Sequence, residues 1–225
     1  MTRQSQYSRL EFLQMVTGAM VASGLMACTS TGVQKVDHTP IVFPKNQISD
    51  NTMNSKILVT YASRTGYTFG VAEHIKKTME ESGNQVDLCK MADVTDLTPY
   101  RAVVAGSAIQ DRQWLPEAME FVENNSHALS QLPFAAFQVC MTLAMPNGEK
   151  YREGVIEWMQ PVRNRVKTVS EGFFAGGLDI DKIPSRGDRF KFRVSVMLGV
   201  WKEGDHRNWA AIKNWATVLN TKLNG

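Results

Sequence analysis

A short apolar run that ends in a hydroxyl-rich turn constrains the fold of this chain more than any other segment. Residues 56–62 contain an unbroken apolar triplet at 57–59, which is typical of a strand buried on both faces in a parallel sheet. The turn at 63–68 then combines hydroxyl side chains, one glycine and the free amides of a helix start. Such a helix start binds anions. The turn has neither a Walker lysine nor a G-x-G-x-x-G pattern, which argues against nucleoside triphosphates and dinucleotides.

Neutral donors around one glycine suit a single terminal phosphate, such as that of flavin mononucleotide (FMN). The pattern Ser63-x-Thr65-Gly66-x-Thr68 after a first strand resembles the FMN phosphate loop of flavodoxins. With its later segments, the chain is most similar to the flavodoxin-domain group that includes menaquinone-dependent protoporphyrinogen oxidase, over residues 56–223. An ordinary helix cap is the alternative for this turn. The resemblance implies an FMN phosphate site made of Ser63, Arg64, Thr65, Gly66, Tyr67 and Thr68.

The alternation of strand and helix patterns predicts an α/β fold. We expect a flavodoxin-like, doubly wound sheet of five parallel strands in the order 2-1-3-4-5, with helices on both faces. Pro161 should kink or break the helix that contains it. The predicted strands are 56–62, 85–89, 101–106, 134–141 and 172–178, and the predicted helices are 68–82, 114–123, 149–169 and 205–223.

Two further loops should meet the phosphate loop, because ligands in such sheets lie beyond the carboxyl ends of the strands at the switch point. These are residues 107–114 and 142–148, and the resemblance implies that they flank the flavin ring. Small residues at 106–108 would let a flat ring approach. An ordinary strand-to-helix turn, which uses the same residue types, is the alternative. Trp114 fits either ring stacking or the core. The candidate ring contacts are Ser107, Ala108, Ile109, Thr142, Leu143 and Ala144.

The start of the chain has the layout of an export signal. Residues 1–27 combine a positive start with an apolar run of about 16 residues, shorter than the ~20 that span a bilayer. A retained membrane anchor is the alternative. The Leu-x-Ala-Cys sequence resembles the bacterial lipobox, which implies lipidation of Cys28. We therefore expect a signal peptide at 1–27, a lipidated tether at 28–55 and the domain at 56–225. The lipid should anchor the domain on the outer side of a bacterial cytoplasmic membrane. The export route, Sec or twin-arginine, stays open.

A long connection of about 26 residues, 179–204, separates the fifth predicted strand from the last helix, whereas such connections usually have 2–6 residues. It interleaves basic and apolar side chains. The membrane-associated oxidases that the chain resembles have such an insertion at this point, which implies contact with a membrane or a quinone. A structural cover for the sheet edge is the alternative.

Composition narrows the function classes. The net charge is only +3, and the basic residues do not cluster into a stripe. We therefore expect no nucleic-acid partner. The four histidines lack metal-type spacing, so no metal site is predicted, and Cys89 and Cys140 are expected to be buried thiols. The first hypothesis is an FMN-dependent oxidoreductase that passes electrons to a quinone. The others are an electron carrier serving a redox partner protein, although carrier flavodoxins are usually strongly acidic, and a flavin-free binding module.

Overall fold

The computed structural model describes residues 55–224. The predicted signal peptide, Cys28 and nearly all of the predicted tether lie outside the described residues. Within 55–224, no helix is both long enough and apolar enough to cross a bilayer.

Apolar runs form the strands, and segments with helical apolar spacing form the longer helices. The strands are β1 (Lys56–Ala62), β2 (Val86–Lys90), β3 (Tyr100–Gln110), β4 (Gln113–Trp114), β5 (Phe134–Cys140), β6 (Ser170–Ala175), β7 (Gly177–Leu178) and β8 (Gly204–Asp205). The helices are α1 (Tyr67–Glu81), α2 (Pro116–Asn124), α3 (Ser126–Leu129), α4 (Arg152–Glu157), α5 (Gln160–Arg163), α6 (Arg186–Met197) and α7 (Trp209–Asn224).

Five parallel strands make the main sheet in the order β2-β1-β3-β5-β6. Counted as the first to fifth long strands, this is the predicted order 2-1-3-4-5, and the fold class is confirmed. The register pairs Ala62 with Ser107 and Ala108 with Val139, so the carboxyl ends of β1, β3 and β5 lie at one edge. The segments predicted to form a ligand site therefore start from that edge.

Two apolar cores lie on opposite faces of the sheet, which confirms helices on both faces. Residues of α1 and α7 build one core against alternate positions of β1, β3 and β5. Residues of α2 and the segment around α5 build the other. On α1, Ala72, Ile75 and Met79 are fully buried, whereas Phe69 is exposed and its ring packs beside that of Tyr61, with centroids 5.2 Å apart.

Several predicted boundaries were wrong around the third strand. Predicted to end at 106, β3 continues to Gln110 and turns back into β4. The turn is made by Asp111 and Arg112, both in the left-handed region with φ of 50° and 64°. Trp114 therefore lies in a strand instead of starting a helix. Its side chain is buried and its Nε1 donates to Gln138 Oε1 at 3.2 Å. Trp114 is therefore a core residue, the second of the two roles considered for it.

The carboxyl-terminal third also differs in detail. The predicted helix 149–169 is broken into short pieces, and Pro161 lies in the first turn of α5 after the break. The last helix begins at Trp209, not at Asp205, and Asn208 accepts the Ala211 amide at its start. Both predicted thiols are free, but only Cys140 is fully buried, since Cys89 is half-exposed at the end of β2.

Candidate functional site

The predicted phosphate loop joins β1 to α1, and its backbone is arranged around Gly66. Gly66 has φ of +87°, in the left-handed region that favours glycine, and its amide donates to Ser63 Oγ at 3.1 Å. No side chain caps the start of α1, and no acidic residue lies in its first turn. The first amides of a helix have no partner within the helix. This end of α1 therefore offers free donors and a favourable dipole to an anion.

The hydroxyl side chains of the loop differ in exposure. Thr68 is 1% exposed, whereas Ser63 and Thr65 are half-buried. The Thr68 hydroxyl makes no hydrogen bond to any residue between 55 and 224. A hydroxyl beside free amides suits an anionic group, because it can donate one more hydrogen bond to that group.

Arg64 belongs to the loop but is already paired. Its guanidinium faces the carboxylate of Glu117 on α2, with Nη1–Oε1 and Nη2–Oε2 distances of 3.0 Å each. Such a two-point ion pair has fixed geometry, although at this exposure it contributes little stability. Arg64 therefore links the loop to α2 and is not free to hold a phosphate in this arrangement.

Tyr67 begins α1 and contacts the far end of the chain. Its ring lies against Gly177, where a Cβ atom would come within 2.1 Å of it. The guanidinium carbon of Arg207 lies 5.0 Å from the ring centroid, and Arg207 Nη1 donates to the Tyr67 carbonyl at 3.2 Å. Sequence reasoning missed Arg207 as a neighbour of this loop. The polar stretch 204–207 was visible, but no periodicity relates residues 140 positions apart.

The second predicted segment is mostly strand, and part of it is engaged in contacts within the fold. Ser107 is fully buried, its Oγ donates to the Ala108 carbonyl at 2.8 Å, and it accepts the Leu115 amide at 3.0 Å. Its hydroxyl therefore fixes the start of α2 and is not available to a ring. Ala108 and Ile109 are half-buried near the end of β3.

Gly106 does allow a close approach, but a side chain of the core uses it. A Cβ atom at Gly106 would lie 1.9 Å from the ring of Phe137 on the neighbouring strand. The small residue that was predicted to admit a flavin ring thus admits Phe137 in the core.

The third predicted segment follows β5 and forms a compact turn. Thr142, Leu143 and Ala144 make one turn of 3₁₀ helix, and all three are half-buried. Burial raises the pKa of the Cys140 thiol at the end of β5. The Ala144 amide donates to the Met141 carbonyl at 2.9 Å, which closes the turn directly after that strand. Its partly exposed side chains lie at the carboxyl edge of the sheet, the edge from which the phosphate loop also starts.

The described residues show no sign of a metal centre. Between 55 and 224, no three histidine, cysteine or acidic residues come together as a metal would require. Burial is the largest cause that lowers the pKa of His74 on α1, so the fold disfavours the protonated form of its ring. The site therefore consists of hydroxyls, backbone amides and small apolar side chains at the carboxyl edge.

Comparison with known proteins agrees with this architecture. A family model described as a flavodoxin domain matches residues 58–198, more than half of the chain. Among solved structures, a cysteine-to-serine mutant of flavodoxin from Pseudomonas aeruginosa is similar at 11% identity and a TM-score of 0.50, over 76% of this chain and 99% of that one. Oxidised Flavodoxin 2 from Bacillus cereus is similar at 21% identity and a TM-score of 0.48, over 74% and 99%. No curated protein matches the sequence.

Proposed function

The chain belongs to the flavodoxin domain family, and on that basis we propose that it is an FMN-binding electron-transfer protein. The observation that carries this proposal is the uncapped start of α1, with Gly66 left-handed and Thr68 buried beside it. It lies between β1 and β3, where the strand order reverses and where such sheets bind ligands.

The residues present fit FMN. Ser63, Thr65 and Thr68, with the amides of the first turn of α1, supply neutral donors for its phosphate. Half-buried side chains at 108–109 and 142–144 supply apolar contact for its ring. When bound, FMN supplies the capacity to take up and release one or two electrons. The protein contributes the grip on the phosphate, the polarity around the ring and the access of solvent and partners.

A quinone acceptor at a membrane surface is the finer part of the proposal. Helix α6 has no buried residue, and exposed fractions are 69% for Phe190, 78% for Met197 and 70% for Leu198. Contiguous exposed apolar side chains mark interaction surfaces. Lipidation of Cys28 would hold the domain close to a bilayer, where α6 could meet lipid and a membrane-dissolved quinone.

The charges on α6 support this only in part. Lys191 pairs with Asp188, and Arg193 lies 3.5 Å from Asp181, so part of its positive charge is already balanced. The apolar side chains therefore carry more of the argument than the basic ones do.

An electron carrier that docks a redox protein is the second candidate. Its support is the likeness in fold to a flavodoxin, and the same exposed face of α6 would then receive a protein partner. The two candidates differ in what α6 contacts, which makes them separable by experiment.

The test of FMN binding is a titration of the purified chain. We expect stoichiometric binding of FMN, with flavin absorption near about 375 and 450 nm, and weaker binding of riboflavin because it lacks the phosphate. A purified chain that binds neither ligand would support the flavin-free binding module instead.

The test of the acceptor uses the exposed face of α6. Phe190→Ser, Met197→Gln and Leu198→Ser should leave FMN binding unchanged but lower binding to anionic vesicles and the reduction of quinone analogues. Val169→Ser with Val218→Ser is the matched control, since these residues are 40% and 47% exposed and lie just before β6 and on α7. Unchanged vesicle binding and quinone reduction in the α6 variant would favour the carrier.

The test of the lipid anchor is Cys28→Ser, which should release the protein from membranes. A variant that still sediments with membranes after a high-salt wash would refute lipidation.

A further inference from the structure

The side chain of Arg207 is enclosed beside the phosphate loop. It is 14% exposed, and its guanidinium carbon lies 5.0 Å from the ring centroid of Tyr67 and 4.2 Å from that of Trp209. Aromatic faces attract cations at such distances, more strongly when water is excluded. Gly70 provides the space, since a Cβ atom there would lie 2.2 Å from Arg207 Nη1.

Hydrogen bonds fix the orientation of the guanidinium between the rings. Nε and Nη2 of Arg207 donate to the two oxygens of Asp205 at 2.8 and 2.7 Å. Nη1 is thereby directed to the Tyr67 carbonyl, 3.2 Å away. The side chain thus joins the segment before α7 to the first residue of α1.

The Tyr67 carbonyl belongs to the same peptide unit as the Thr68 amide. That amide is one of the free donors at the start of α1. A charged donor on the carbonyl polarises the peptide unit and strengthens its N–H as a donor, because hydrogen bonds in a chain reinforce one another. The contact also fixes the direction of the first turn.

We propose that Arg207 is a positioning residue for the phosphate loop, which raises the affinity for the phosphate of FMN without touching it. This inference rests on the proposed function, since it concerns the same phosphate site. FMN binding and the role of Arg207 can be tested separately, because loss of Arg207 should weaken the contact with the phosphate and not the contact with the flavin ring.

A purely structural role would have a different signature. Loss of a half-buried ion pair lowers the stability of the domain, and binding of FMN and of riboflavin would then change together. Arg163 provides the matched control: its guanidinium pairs with Glu171 at 2.8 and 2.5 Å, with side chains 26% and 18% exposed.

The experiment titrates the whole purified chain with FMN and with riboflavin, and follows thermal unfolding in parallel. Arg207→Gln should weaken FMN binding about five- to tenfold and leave riboflavin binding unchanged. Arg207→Lys should restore only part of the loss, because an ammonium cannot reproduce the two-point contact with Asp205. Arg163→Gln should lower the melting temperature without changing the ratio of the two affinities.

Asp205→Asn serves as a second, milder variant in case Arg207→Gln does not fold, and it should shift the ratio in the same direction. If the Arg207 and Asp205 variants keep the wild-type ratio of FMN to riboflavin affinity, the inference about Arg207 is overturned. The proposed function still stands in that case, provided that the wild-type chain binds FMN. A wild-type chain that binds neither ligand would overturn both.

Discussion

Replacing Thr68 with valine should weaken FMN binding by about 10- to 150-fold and leave riboflavin binding unchanged. Thr68 as a residue is 1% exposed, so little water reaches it to replace a hydrogen bond that it donates to the phosphate. A hydrogen bond to a charged group contributes about 1.5–3 kcal/mol. Each factor of ten in affinity corresponds to about 1.4 kcal/mol, which gives the stated range.

The flavin-free protein should tolerate this change. The Thr68 hydroxyl bonds to no residue between 55 and 224, so valine leaves no hydrogen-bonding partner behind. We therefore expect the free energy of unfolding of the flavin-free chain to change by less than about 1 kcal/mol. Fluorescence titration with both flavins, and urea unfolding without flavin, measure the two quantities.

Thr78→Val is the matched control, because it makes the same chemical change at the other end of α1. Thr78 is 4% exposed, and its hydroxyl donates to the His74 carbonyl at 2.9 Å. This variant should bind FMN like the wild type. If Thr68→Val kept wild-type FMN affinity, or lost affinity for both flavins equally, Thr68 would not hold the phosphate.

Three further predictions concern stability and packing. Gly106→Ala should destabilise the fold by about 1–3 kcal/mol through overpacking, whereas Gly154→Ala in α4, where a Cβ atom meets nothing within 4 Å, should be neutral or stabilising in urea unfolding. Trp114→Phe should cost about 1–3 kcal/mol in the same assay, because Gln138 Oε1 then loses its donor. Since burial lowers the pKa of His74, protonation favours the unfolded chain; the free energy of unfolding should fall as pH drops below the unfolded value, and His74→Phe should flatten that slope.

The sheet could be predicted from the sequence because its signals are local. Apolar runs in the sequence indicated β1, β3 and β5. Helix α1 lies between two glycines, Gly66 and Gly83, both of which have positive φ. The order of the strands came from the resemblance to flavodoxins. A glycine between a buried strand and a helix indicated the phosphate loop for the same reason.

The environment of individual side chains could not be predicted, because it depends on contacts between distant residues. Gly106 and Ser107 have the composition of a ring-binding turn, yet Phe137 and the Leu115 amide occupy them. The hairpin after β3 depends on left-handed conformations at Asp111 and Arg112, residue types that give only a weak turn signal. Arg64 was assigned to the phosphate, and its ion pair with Glu117 could not be predicted from the sequence.

The two ends of the insertion are paired with each other. Gly177 pairs with Asp205 and Leu178 with Gly204 in an antiparallel hairpin, so the chain leaves and rejoins the domain at one place. Closing a loop between fixed ends costs conformational entropy that grows only with the logarithm of its length, about 0.6 kcal/mol per doubling. The closure entropy of residues 179–203 therefore changes little with their number, and the paired ends let this segment vary in length without moving the strands that flank it.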